Sequence, residues 1–186
     1  MTGRYRMWTG SESVEIHVPV SGSENVMVPV IRGVVRSVDD PSLILLQRRA
    51  DPAEPVFGCL EIPGGRWRSG ESPADALARE VYEETGIALS SIDGVSVDAI
   101  DARRVLASLH PLVVVAGVSG AFPAIHVVLL ADGIGSPRGR QGESDEVRWW
   151  SFIDVRTAVE EQPSAFVPSS RAALEAYIEV VGSAAS

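Results

Sequence analysis

The sequence predicts an α/β fold, a mixed β-sheet with helices on either side of it. Three observations point there. Short runs rich in β-branched residues recur from Val14 to Trp150. A helix with clear end signals, Ser72 to Thr85, interrupts them, and two further helices close the chain. With 186 residues, 45% of them apolar, the chain can bury one full core and has little room for a second. Residues 1–24 are expected to form an extension carrying an edge strand, and residues 25–186 the domain proper.

Val14 to Val20 alternates apolar and polar residues and reads as a strand, with Pro19 pushing it toward a sheet edge. An edge strand tends to be paired or covered, so this one is expected to join a homodimer or to shield the sheet. Ser21–Glu24 reads as a turn or short linker, Asn25–Ser37 as a long apolar strand and Ser42–Arg48 as the next, joined by the Asp39-Asp40-Pro41 turn. Ala50 to Pro55 is loop. A short strand at Cys59–Ile62 runs into Pro63-Gly64-Gly65, a tight turn at which backbone can approach a ligand closely. Ser72 is a good N-cap, Pro73 suits the first helical position, Asp75 completes a box-like Ser-x-x-Asp, and Gly86 supplies the stop. Ala74, Leu77, Ala78, Val81 and Tyr82 fall at helical spacing and are the predicted buried face. Strands follow at about 95–101, 111–117 and 125–131, then a loop over 132–145 and a last strand at Val147–Trp150. Ser151 and Ser170 are the predicted caps of the two final helices, the second with Leu174, Tyr177, Ile178 and Val181 facing inward.

Composition removes several functions. A net charge of −9 argues against long-range attraction to nucleic acid or anionic lipid. All 16 basic residues are Arg, which excludes a P-loop lysine and lysine nucleophiles. Cys59 stands alone, so there is no internal disulfide and no cysteine zinc site, and its apolar neighbours suggest a core filler. Val105 to Ala131 carries no Asp, Glu, Lys or Arg, yet Gly117, Ser119, Gly120 and Pro123 break it into two strands rather than a membrane span. Met1 to Gly10 lacks the apolar core of a signal peptide. A soluble cytoplasmic protein is expected.

The first helix contradicts its own local rules. Glu80, Glu83 and Glu84 share one face near the helix C-terminus, where acids oppose the macrodipole and repel each other. Each effect costs a few tenths of a kcal/mol to about 1 kcal/mol. A solvated acidic face would tolerate that cost, and a divalent cation would reverse it, since oxygen-rich clusters suit Mg²⁺ and Mn²⁺. The spacing decides between them. From Gly65 the chain runs five residues to Glu71, seven more to Arg79, then Arg79-Glu80-Val81-Tyr82-Glu83-Glu84-Thr85-Gly86-Ile87. A chance match of this pattern is on the order of 10⁻⁸ to 10⁻⁷ for such a chain at average residue usage.

That pattern resembles the signature of the Nudix hydrolase family at every defined position. Gln47-Arg48-Arg49, Leu60-Glu61-Ile62-Pro63-Gly64-Gly65 and Glu146-Val147-Arg148-Trp149 also look like the family, in the right order. The resemblance implies a three-layer α/β/α sandwich, a Mg²⁺ or Mn²⁺ cofactor and hydrolysis of a pyrophosphate in a nucleotide-like substrate. It implies that Glu80, Glu83 and Glu84 bind or bridge to the metal, that a carbonyl of the Pro63-Gly64-Gly65 turn adds a ligand, and that Arg79 and Glu71 brace the glutamates. The general base comes from the signature or from a later loop, where Glu143 is the candidate. Arg48 and Arg49 close the second strand of the domain proper, where a guanidinium fork could hold a phosphate, Arg49 fitting the family position slightly better. One of Trp149 and Trp150 should fill the core, and the other could stack on a base.

Subfamily marks are missing. Ala102 stands where ADP-ribose-cleaving members carry proline, no Tyr lies between Tyr82 and Tyr177, and Ser170 stands where triphosphate-sanitising members place a guanine-reading Asn. The expected substrate is therefore a nucleoside triphosphate or a nucleoside diphosphate linked to another group. The alternatives are a nucleotide-sensing binding protein of the same fold that does not cut, and an isoprenoid diphosphate isomerase with Cys59 as a weak catalytic candidate.

Overall fold

A computed structural model describes residues 2–8, 13–19, 27–101, 104–118, 123–139 and 144–184. In chain order the elements are β1 (Thr2–Trp8), β2 (Ser13–Pro19), β3 (Val28–Ser37), β4 (Leu43–Arg49), β5 (Leu60–Glu61), β6 (Gly64–Arg66), α1 (Pro73–Thr85), β7 (Ala88–Ile92), β8 (Val95–Asp101), β9 (Arg104–Leu109), β10 (Val113–Gly117), β11 (Ala124–Ile134), β12 (Ser144–Ser151), α2 (Phe152–Glu161) and α3 (Pro168–Ala184). A single 3₁₀ turn at Pro163–Ala165 joins the last two helices.

The main sheet runs β10-β11-β3-β4-β12, with β5 on β4, β6 on β3 and β7 on β11. It is mixed, because β11 and β3 are parallel while the other pairs are antiparallel. Alternate residues of β3 serve opposite faces, as period 2 requires. Ile31 and Val35 pack with Leu77 and Val81 of α1, whereas Val34 packs with Val155 of α2 and Leu174 of α3. Helices therefore cover both faces, and the predicted three-layer α/β/α sandwich is observed.

The sheet's central hairpin is forked, and the fork positions the site. Strands β3 and β4 pair only through Arg36 and Ile44, near their connecting turn. Beyond it they diverge, and residues 60–66 fill the gap. Leu60 and Glu61 pair with Arg48 and Gln47 on one arm, and Gly64 to Arg66 with Val30 to Arg32 on the other. The Gly33 amide donates to the Pro63 carbonyl at 3.0 Å, closing the seam. The predicted turn is thus the start of a short strand.

Other boundaries differ from expectation for identifiable reasons. The buried stripe of α1 is Pro73, Ala76, Leu77, Val81 and Thr85, and Tyr82 is exposed. The helix is rotated so that Glu80 and Glu84, rather than Tyr82, turn toward the sheet. Ser170 lies inside α3 and is fully buried, accepting the Ile62 amide at 3.2 Å, so it is no cap. Ser151 does cap α2, accepting the Asp154 amide at 3.1 Å. Cys59 is only partly buried and is no core filler. The Val105–Ala131 stretch forms parts of β9 and β11 with β10 between them, and β9 pairs with β8 in a separate two-stranded sheet. The predicted N-terminal strand is β2, whose partner is β1, with Tyr5 opposite Ile16. The predicted Ser21–Glu24 turn lies outside the described residues. No helix among the described residues is long and apolar enough to cross a membrane.

Candidate active site

Helix α1 begins as its sequence dictates. Ser72 accepts the Asp75 amide at 3.1 Å, Pro73 occupies the first turn, and Gly86 ends the helix in the left-handed conformation. Its last turn carries no basic residue. Terminal carbonyls are met instead from loop and strand: the Arg138 amide donates to Thr85 at 2.8 Å, and the Ser144 hydroxyl to Glu84 at 2.9 Å.

The acidic residues of α1 meet the forked hairpin at Gly64 and Gly65. Glu84 is largely buried, and its Oε2 accepts the Gly64 amide at 3.0 Å and the Gln47 side-chain amide at 2.9 Å. Burial pushes its pKa up to about 7, and the charge of Glu61 adds to the rise. Glu80 lies over Gly65 and is ion-paired with Arg79. Glu83 is exposed, with one oxygen 3.6 Å from Arg79. Arg79 grips Glu71 through Nε at 2.6 Å and Nη2 at 3.0 Å, a two-point contact. That contact holds the Glu71 carboxyl below its ordinary range. Arg79 thus joins Glu71 to Glu80.

Both glycines are needed, for different reasons. Gly64 has φ +138, and a Cβ there would sit 2.3 Å from the Ile31 carbonyl oxygen. At Gly65 a Cβ would sit 2.5 Å from Oε2 of Glu80, a flexible side-chain end that can swing away. Gly64→Ala is expected to cost about 3 kcal/mol or more, through backbone strain and clash. Gly65→Ala should stay within about 1 kcal/mol of wild type yet lose about 10- to 100-fold in activity by displacing Glu80. Urea melts beside one activity assay check the pair, and equal stability loss in both would refute this division of roles.

Beneath the glutamates lies a buried polar layer. Glu61 is 1% exposed and accepts Arg32 Nη1 at 3.0 Å, Gln47 Nε2 at 3.2 Å and Arg49 Nη1 at 3.2 Å. Arg32 also donates to the Ile62 carbonyl at 2.8 Å. Arg49 is further paired with Glu54, and Arg48 with Glu146 and the Gly58 carbonyl. Glu146 has φ 45 and sits in the irregularity where β12 slips register against β4. Trp149 packs on the α1 side of the sheet, and Trp150 on the α2–α3 side under Arg148. Glu143 and Ala102 lie outside the described residues.

The roles of Arg32, Gln47 and Glu61 were not read from the sequence. Arg32 and Glu61 each interrupt an apolar stretch destined for the sheet interior, which is the signal that each needs a buried partner.

Among the described residues, no three acidic, His or Cys side chains converge as a ready cation cage. The chemistry of the donors still fits a hard divalent ion. Glu80, Glu83 and Glu84 offer only carboxylate oxygens, and the burial that holds Glu84 near pH 7 is a cost that a neighbouring cation would reverse.

Comparison with known proteins agrees with this architecture. The NUDIX domain model matches residues 27–170. Three solved structures share the fold: a MutT NUDIX hydrolase from Burkholderia pseudomallei (TM-score 0.59, 23% identity, covering 81% of this chain and 98% of that one), the E. coli ORF135 protein (0.60, 20%, 84% and 92%), and the NUDIX domain of Shewanella oneidensis NrtR complexed with ADP ribose (0.61, 17%, 85% and 90%). A curated relative, an octanoyltransferase from Myxococcus xanthus, is 32% identical over 157 residues, and the chain spans about a third of its length. The domain match covers most of the chain and includes the signature helix, the glycine turn and the forked hairpin, so the chain belongs to the Nudix hydrolase family.

Proposed function

We propose that the chain hydrolyses a pyrophosphate bond in a nucleoside triphosphate or in a nucleoside diphosphate linked to another group, and requires Mg²⁺ or Mn²⁺. The observation that carries this reading is the packing of Glu80 and Glu84 against Gly64 and Gly65 of β6, with Arg79 joining Glu80 to Glu71 and the Gly64 amide holding Glu84. Nucleoside diphosphate derivatives are included because a domain of the same fold is complexed with ADP ribose.

When bound, a divalent ion would neutralise the diphosphate and lower the pKa of an attacking water. Glu80, Glu83 and Glu84 would hold it, with a Gly64 carbonyl as a further ligand. The chain's own contribution is orientation. Arg79 ties Glu80 to the Glu71 carboxylate, and the Gly64 amide fixes Oε2 of Glu84. Glu143, next to β12 in the sequence, remains the proposed proton acceptor.

Of the two arginines proposed for phosphate, Arg48 is the easier to recruit. Its partner Glu146 is exposed, and such a pair is worth about 0–1 kcal/mol. Arg49 would have to leave the buried Glu61.

Incubation with Mg²⁺ and a panel of nucleotides should release products cut within the pyrophosphate, and EDTA should abolish release. Full turnover in metal-free buffer would exclude the metal role. Binding without products would favour the nucleotide-sensing alternative.

A further inference from the structure

The chain of hydrogen bonds Arg32–Glu61–Gln47 ends on Glu84, and none of the roles proposed above uses Gln47. Its Nε2 donates to Glu61 Oε1 at 3.2 Å and to Glu84 Oε2 at 2.9 Å, and the residue is 1% exposed. The amide orientation follows, because the flipped form would aim its oxygen at two carboxylates. That orientation leaves Gln47 Oε1 buried with no donor among the described residues. An apolar side chain of similar size would fill the same space without an orphaned oxygen. The amide is therefore explained by what it holds, not by packing.

What it holds is one oxygen of one glutamate. Gln47 from β4 and the Gly64 amide from β6 converge on Oε2 of Glu84, while among the described residues Oε1 of Glu84 accepts no hydrogen bond. The two arginines in the layer are spent on Glu61, and a neutral amide spans the gap to Glu84. Glu84 is thus held by two amides, with neither arginine bonded to it. We infer that Gln47 is a positioning residue, which with Gly64 holds Oε2 of Glu84 so that the other carboxylate oxygen is directed to a divalent cation. This rests on the cation role proposed above for Glu84.

The test measures Mn²⁺ binding to the nucleotide-free protein by titration with electron paramagnetic resonance, alongside a thermal melt without metal. Gln47→Met should fold and bind Mn²⁺ about 10- to 100-fold more weakly, the usual range when a residue that orients a metal ligand is lost. Gln47→Asn keeps the amide but is too short to span both carboxylates, and should weaken binding similarly. It also serves if the Met variant does not fold. A merely structural Gln47 would lower the melting temperature and leave the Mn²⁺ affinity of the folded protein unchanged, and that result in either variant overturns the inference. If wild type binds Mn²⁺ no better than Glu84→Gln, the underlying cation role of Glu84 fails instead.

Discussion

Glu84→Gln is expected to lower turnover on the order of 10²- to 10⁴-fold while leaving the metal-free protein at least as stable as wild type at neutral pH. Shape and helix propensity are nearly kept, and the carbonyl oxygen of Gln can still accept the Gly64 amide and the Gln47 amide. What disappears is an ionisable carboxyl, partly charged near pH 7, in a last helical turn with no basic residue and beside the charge of Glu61. Removing it should relieve the fold and, on the role proposed for Glu84, take a ligand from the cation. Saturating Mg²⁺ should therefore raise the wild-type melting temperature, by about 2.7 kcal/mol of linkage at a hundred times Kd, and raise that of the variant much less. A helix face that is acidic for solubility alone would give the reverse, with unchanged activity and equal responses to Mg²⁺. Melts with and without Mg²⁺, run beside a turnover assay, separate the two.

The parts of the site that were legible in the sequence are those encoded within one helix and its flanks. Ser72, Pro73 and Gly86 act through their immediate neighbours, so the limits of α1 could be read directly. Glu80, Glu83 and Glu84 share a face because of helical geometry, and Arg79 reaches Glu71 only eight residues away. The rotation of the helix was not legible. Tyr82 scores as apolar, but the sheet approaches α1 from the side on which Val81 and Thr85 project, and Tyr82 is left 54% exposed. Apolar periodicity ranks side chains and cannot say where the partner surface lies. The same limit hid the polar layer. Arg32 meets Glu61 across 29 residues and Ser170 meets Ile62 across 108, and both contacts exist only because residues 60–66 enter the fork between β3 and β4. Ser170 resembled a helix cap locally, and its hydroxyl was instead required by an amide in the core.

The charge of Glu84 should also be visible as a pH dependence of stability in the absence of metal. Its folded pKa, about 7, lies above the ordinary glutamate value of 4.5, so the native state holds a proton that the unfolded chain releases. The resulting stabilisation is complete below pH 4.5 and is lost as pH rises through 7. Its size is at most about 3 kcal/mol, at 1.36 kcal/mol per unit. His126 contributes a limb of the opposite sign, since burial and then the Arg32 charge depress its pKa to about 4. Stability from neutral His126 is present above 6.5 and lost as pH falls through 4. Subtracting the profile of Glu84→Gln from that of wild type cancels the His126 limb and isolates Glu84. The metal-free difference should shift in favour of the variant between pH 5 and pH 8, by up to the same 3 kcal/mol or so. Saturating Mg²⁺ should flatten or invert that shift, because a bound cation favours the ionised carboxylate. Urea unfolding at four or five pH values in EDTA provides the measurement. A difference that stays flat across the range would mean that Glu84 ionises as an ordinary carboxylate and that burial does not set its charge.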